Sequence, residues 1–201
     1  MKKKFVAAFL LFAVAISVCS CYARVKNREE LIKYANDTYG AATFQGAKKK
    51  LKGKESYTTI YMTDKETGIN YSVTSSLVDE VGDGKPSSYV VKNESDFEDL
   101  YFTYITDEAA EDLDPVVTDY GFEYNCTNGI GRIDFLVDVS AATVEEAMSE
   151  FDRILSGYDQ RGLRPNEYLV YDNSGALIGS YDAASDIFSA ADDLDTADLD
   201  I

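Results

Sequence analysis

The side chains able to do chemistry in this 201-residue chain are mostly carboxylates: 36 Asp and Glu stand beside 19 Lys and Arg, three Cys and no His. Without His there is no Ser–His–Asp or Cys–His relay, and no imidazole metal ligand. What composition leaves open is a carboxylate pair acting as acid and base, as in glycoside hydrolysis. That chemistry needs two carboxyl groups about 5 to 9 Å apart, and no spacing in the chain singles out a pair. Asp64, Asp83 and Asp172 fall in turn signals, Glu98 and Glu146 at helix starts, and Glu145 and Glu150 on a polar helix face. Cys126 alternates with Tyr120, Phe122 and Tyr124 and reads as a small buried apolar residue, with no imidazole to activate it. Asp192, Asp193, Asp195, Asp198 and Asp200 offer hard oxygens, but they do not fit a calcium-loop pattern. Gly129-Ile130-Gly131 falls short of a phosphate-cradling glycine loop and precedes a strand rather than a helix. No catalytic residue, cofactor or dedicated metal is therefore expected. A sequence pI near 4.3 argues against nucleic acid as a partner, because phosphate binding needs a positive face.

The basic residues are fewer but grouped. Residues 21–54 hold nine Lys and Arg against three acids, a charge of +6, whereas residues 55–201 hold seven against 33, a charge of −26. Lys48, Lys49, Lys50, Lys52 and Lys54 form the densest run. Anionic headgroups attract such a surface by about 1 kcal/mol per Lys or Arg close to the membrane. These five are the candidate membrane-facing residues; the plainer reading of the run is a solvated loop. Beyond it, Tyr57, Thr59 and Tyr61 alternate with Ile60 and Met62, so the two sets fall on opposite faces of one strand. Tyr joins a large apolar ring to a polar tip and suits a recognition surface. The Tyr face is read either as a glycan- or protein-binding surface or as packing over the edge of the core.

The N-terminus has the grammar of export. Lys2, Lys3 and Lys4 precede Phe5 to Val18, an apolar run interrupted only by Ser17 and too short for the roughly 20 residues of a membrane span. Val18-Cys19-Ser20-Cys21 then resembles the lipobox of bacterial lipoproteins, with an aliphatic residue at −3, a small one at −1 and the acceptor Cys. Cys19 at −2 departs from the usual Ala, Ser or Thr. The resemblance covers residues 1–21 only. It implies removal of residues 1–20, acylation of Cys21 with diacylglyceryl and palmitate-type chains, and a lipid anchor on the extracytoplasmic face of a bacterial plasma membrane. Ordinary cleavage after Ala23 is the alternative. With Cys21 acylated, Cys126 has no partner for a disulfide.

The elements that must position these groups follow from periodicity. Three stretches carry helical spacing: from Asn27, a capping residue with Glu30 three positions on; from Ser95 with Glu98; and from Thr143 with Glu146. After each the period falls to two. Hairpins are predicted at Ser56 to Thr63 with Ile69 to Ser75, at Phe122 to Thr127 with Arg132 to Val139 about Asn128-Gly129, and at Glu167 to Tyr171 with Ala176 to Tyr181. The order predicts an α+β fold of three helix–hairpin (αββ) units, a mainly antiparallel sheet covered by helices. The expected organisation is a signal peptide (1–20), an anchor tether (21–26), one α+β domain (27–182) and an acidic tail (183–201). A two-lobed split near Gly82 to Pro86 is the alternative. The tail is read as a short helix on Ile187, Ala190, Ala191, Leu194 and Ala197, or as disorder.

Two function classes fit. One is a membrane-anchored extracytoplasmic lipoprotein acting as a non-enzymatic binding module, with an anionic headgroup contact and an unknown protein or wall ligand. The other is a carboxylate-dependent hydrolase of envelope polymers.

Overall fold

The computed structural model describes residues 23–80 and 88–191. The signal and lipobox residues up to Tyr22, the Gly82–Pro86 stretch and the acidic run from Asp192 lie outside the described residues. The described residues form two compact units, one of residues 23–62, 72–80 and 88–94, the other of 63–71 and 95–191. The fold is α+β, with four α-helices and nine strands in two mainly antiparallel sheets among the described residues.

In the first unit, helix α1 (Arg28–Tyr39) begins on the capping box expected from the sequence. The Asn27 side chain accepts from the backbone N–H of Glu29 and Glu30, and the Glu30 carboxylate accepts the Asn27 N–H at 2.8 Å. Leu31, Ala35 and Tyr39, four residues apart, are the buried stripe of α1. The sheet has the order β1 (Ala42–Lys50), β2 (Tyr57–Asp64), β3 (Asn70–Glu80), β4 (Ser88–Ser95). Ile60, Met62 and Val73 are buried on one face of it. The Lys26 N–H donates to the Ser75 hydroxyl at 3.0 Å and ties the segment before α1 to β3.

The second unit places α2 (Phe97–Glu108), α3 (Ala110–Tyr120) and α4 (Ala141–Tyr158) with a five-stranded sheet. Its order is β5 (Phe122–Thr127), β6 (Ile130–Phe135), β7 (Glu167–Tyr171), β8 (Leu177–Asp182), β9 (Ile187–Ala190). All neighbours there are antiparallel except β6 and β7, which run parallel across the α4 crossover. The core is aromatic: Phe122, Phe135, Phe151, Tyr168 and Tyr181 are buried, with ring centroids 5.5 to 6.3 Å apart in tilted and edge-on pairs. Asn128 and Gly129 both have positive φ, 55° and 76°, the backbone a two-residue I′ hairpin turn requires.

Several expectations change. The three helices and three hairpins are embedded among β1, β4, α3 and β9, so the repeated αββ scheme does not describe the order. Helix α2 starts one residue later than read, after Asp96, with the Ser95 hydroxyl accepting the Phe97 N–H at 3.1 Å. Helix α4 starts earlier, because Ser140 accepts the Thr143 N–H and is the N-cap. Ile187–Ala190 is a strand rather than a helix: it completes the sheet against β8, where hydrogen bonding to a neighbour outweighs a weak helical stripe.

Candidate binding face

Strand β1 lies at the edge of the first sheet and is exposed along most of its length. Lys48, Lys49 and Lys50 are the end of this strand, and Lys52 and Lys54 continue into a single 3-10 turn, Gly53–Glu55. The run read as a solvated loop is thus partly a strand with solvated side chains. All five lysines are exposed. Lys50 pairs with Glu55 at 2.7 Å and Lys52 lies 4.0 Å from the same carboxylate. Lys49 and Lys54 make no ion pair among the described residues. Exposed pairs of this kind contribute about 0–1 kcal/mol each.

The strand alternation falls as expected. Ile60 and Met62 are buried, whereas Tyr61 is exposed and Tyr57 and Thr59 are half-buried on the opposite face. The Thr59 and Thr74 hydroxyls meet at 2.9 Å across β2 and β3 on that face. Lys48 sits over the Tyr61 ring, 5.5 Å from its centroid, and a Cβ on Gly46 would lie 4.0 Å from the same ring. Phe44, 37% exposed, shares the face from β1 and has the Arg28 guanidinium 5.8 Å from its centroid. Aromatic rings with cations beside them on an exposed strand face are groups a ligand can contact.

No family model, curated protein or solved structure matches this chain. The site must be read from its own chemistry.

The second unit uses its charges differently. Asp64 is almost wholly buried and receives both guanidinium ends of Arg161 at 3.0 and 2.9 Å, with the Thr67 N–H and hydroxyl at 2.7 Å each. Glu66 takes a further Arg161 hydrogen bond at 2.6 Å. The Asp159 side chain is fully buried and accepts from the N–H groups of Arg161, Leu163 and Arg164 and from the Tyr101 hydroxyl. Burial by itself raises both carboxylates, but the opposing contacts outweigh it and both are held below the usual carboxylate range. The opposing contacts are Arg161 and Thr67 at Asp64, and the three N–H groups with Tyr101 at Asp159. Arg164 is clamped by Asp152 at 2.8 and 3.0 Å. Asp64 and Asp159 are ionised hydrogen-bond acceptors, the opposite of a proton donor with a raised pKa.

The remaining sequence candidates are placed as structural groups. Burial, then the neighbouring Asp99 carboxylate, pushes the Cys126 thiol up to about 12, where it is not a nucleophile at neutral pH. Asp99 also accepts the Asn128 and Gly129 N–H groups and anchors the hairpin turn to α2. Asp172 closes the β7–β8 turn by accepting from Ser174 and Ala176. Among the described residues no cluster of three metal-ligating side chains occurs, and no helix is long and apolar enough to cross a membrane. Sequence reasoning missed Phe44 and Thr58, because β1 carries no apolar alternation and the burial of Thr58 is set by tertiary packing.

Proposed function

We propose that the protein is a bacterial lipoprotein anchored through Cys21 to the extracytoplasmic face of the plasma membrane, and that it is a non-enzymatic binding module. Its first unit meets anionic headgroups through Lys48, Lys49, Lys50, Lys52 and Lys54 and offers the Tyr57–Tyr61 face to a protein or wall ligand. The observation that carries this reading is the open β2 face, where Tyr61 and its cation are left to solvent while Ile60 and Met62 are buried. The five lysines support the headgroup contact because they are exposed and only lightly paired.

Two measurements test it. Mass spectrometry of the native N-terminus should find an acylated peptide beginning at Cys21; an unmodified peptide beginning at Arg24 overturns the anchor. Co-sedimentation of the chain lacking its acyl group should rise with the anionic lipid content of vesicles and fall as salt shortens the Debye length. Binding indifferent to both defeats the headgroup contact.

A further inference from the structure

We propose that the first unit carries a discrete phosphoryl-binding site at the start of α1, built from Arg28, Lys49 and Thr58. A cleft of about 300 Å³ is lined there by Asn27, Arg28, Glu29, Lys48, Lys49 and Thr58. The decisive group is Thr58. The residue is 1% exposed, it lines the cleft, and its hydroxyl has no hydrogen-bond partner among the described residues. A buried hydroxyl left unpaired is unfavourable, and buried polar groups in folded proteins are ordinarily paired. The hydroxyl is covered from solvent, so an acceptor oxygen satisfies it only when the cleft opens to admit a ligand.

The charges around the cleft select which oxygen. Arg28, Lys48 and Lys49 line the cleft; the Arg28 guanidinium and Lys48 ammonium rest 5.8 and 5.5 Å from the Phe44 and Tyr61 rings and would turn to meet a ligand, and the N-terminal end of α1 adds its positive dipole. The helix end acts by dipole alone at Glu29 and Glu30, since the Asn27 side chain already takes those two N–H groups. The opposing charge is Glu29. It pairs with Arg28 at 3.2 Å, but both side chains are well exposed, 81% and 57%, so the pair opens readily for a stronger acceptor. A guanidinium, an ammonium and a hydroxyl around one small cleft match a tetrahedral oxyanion, with Arg able to bind two of its oxygens at once. The shared ligand chemistry is a phosphoryl group, carried by a lipid headgroup or by a soluble phosphate. The inference deepens the proposed headgroup contact, yet it concerns a saturable site, which the diffuse lysine surface is not.

The test is a titration of the full-length, ¹⁵N-labelled chain in non-ionic detergent. Inorganic phosphate should shift the amides of Arg28, Glu29, Lys49 and Thr58 and saturate, while chloride at matched ionic strength should not. Thr58→Val keeps the shape and removes the unpaired hydroxyl, so it should leave thermal stability unchanged or raised and weaken phosphate about tenfold or more. Arg28→Gln should weaken it similarly. Vesicles containing phosphatidic acid then separate the sources. Loss of vesicle binding in both variants assigns the site to headgroups; retained vesicle binding with lost phosphate binding assigns it to a soluble phosphate. Shifts spread evenly over all lysines, or phosphate binding unaffected by Thr58→Val, would overturn the site. Failure of vesicle binding in the parent chain with intact phosphate saturation would instead remove the headgroup reading and leave the site standing.

Discussion

Among the described residues the first unit holds ten Lys and Arg against seven Asp and Glu, and the second holds five against 23. The unit with few cations puts two of its five, Arg161 and Arg164, to structural use. Arg161 and Arg164, with 13% and 24% of their side chains exposed, each clamp a carboxylate with two hydrogen bonds. The unit with many cations leaves them in solvent, with Lys50 and Lys52 45% and 76% exposed. Count and sign of charge therefore say little about its role; burial decides. A buried cation specifies the path of the chain, whereas an exposed one remains available to a partner.

Breaking the contrast should have its largest effect at Arg161. Arg161→Met leaves Asp64 buried without its cation and should destabilise the second unit by about 3–5 kcal/mol, read by denaturant unfolding. Acid attacks the same network from the carboxylate side. Asp64 and Asp159 have lowered pKa values in the fold. Their contribution is therefore fully present above the ordinary carboxylate pKa near 4 and is lost as pH falls through the lower, folded value. Near-ultraviolet circular dichroism from the buried Tyr residues should report loss of second-unit packing below about pH 4. A second unit that is indifferent to acid would remove the structural role assigned to these carboxylates.

Smaller effects sharpen the comparison. Gly131→Ala places a Cβ 2.2 Å from a ring carbon of fully buried Tyr168 and should destabilise by about 1–3 kcal/mol in thermal melts. Asn27→Ala removes the α1 cap and should lower stability by about 1 kcal/mol. Lys49→Gln with Lys54→Gln should change stability by less than about 0.5 kcal/mol. The same pair should reduce sedimentation with anionic vesicles. If the lysine variant unfolded the protein as Arg161→Met does, the distinction between the two kinds of charge would fail.

Local rules made part of this legible from sequence. The Asn27–Glu30 capping box and the Asn128-Gly129 turn are short-range chemistry and stand where expected. So does the alternation of Tyr61 with Ile60 and Met62. Elements that draw their stability from neighbours were not legible. Strand β1 is nearly all exposed and carries three consecutive lysines, so no periodicity marks it. Helix α3 contains Pro115, which lacks the N–H of an interior helical residue, yet Leu113 and Val116 are buried and hold it in place. The first unit's candidate sites were half legible: the Tyr alternation shows in the sequence, but Thr58, on the opposite face of β2, becomes notable only once its hydroxyl is seen buried without a partner.

The parallel seam between β6 and β7 has a consequence for the order of assembly. The β5–β6 and β7–β8–β9 blocks are joined by short connections and can zip locally. The seam forms only after residues 136–166, including α4, have been closed into a loop, an entropic step without local reward. Gly131 and Tyr168 face each other across it, so the ring seats only when the register is right. In pulse-labelled hydrogen exchange, the two blocks should gain protection first and the β6–β7 amides last. The fully buried Tyr168 ring then serves as the latch of the folding reaction.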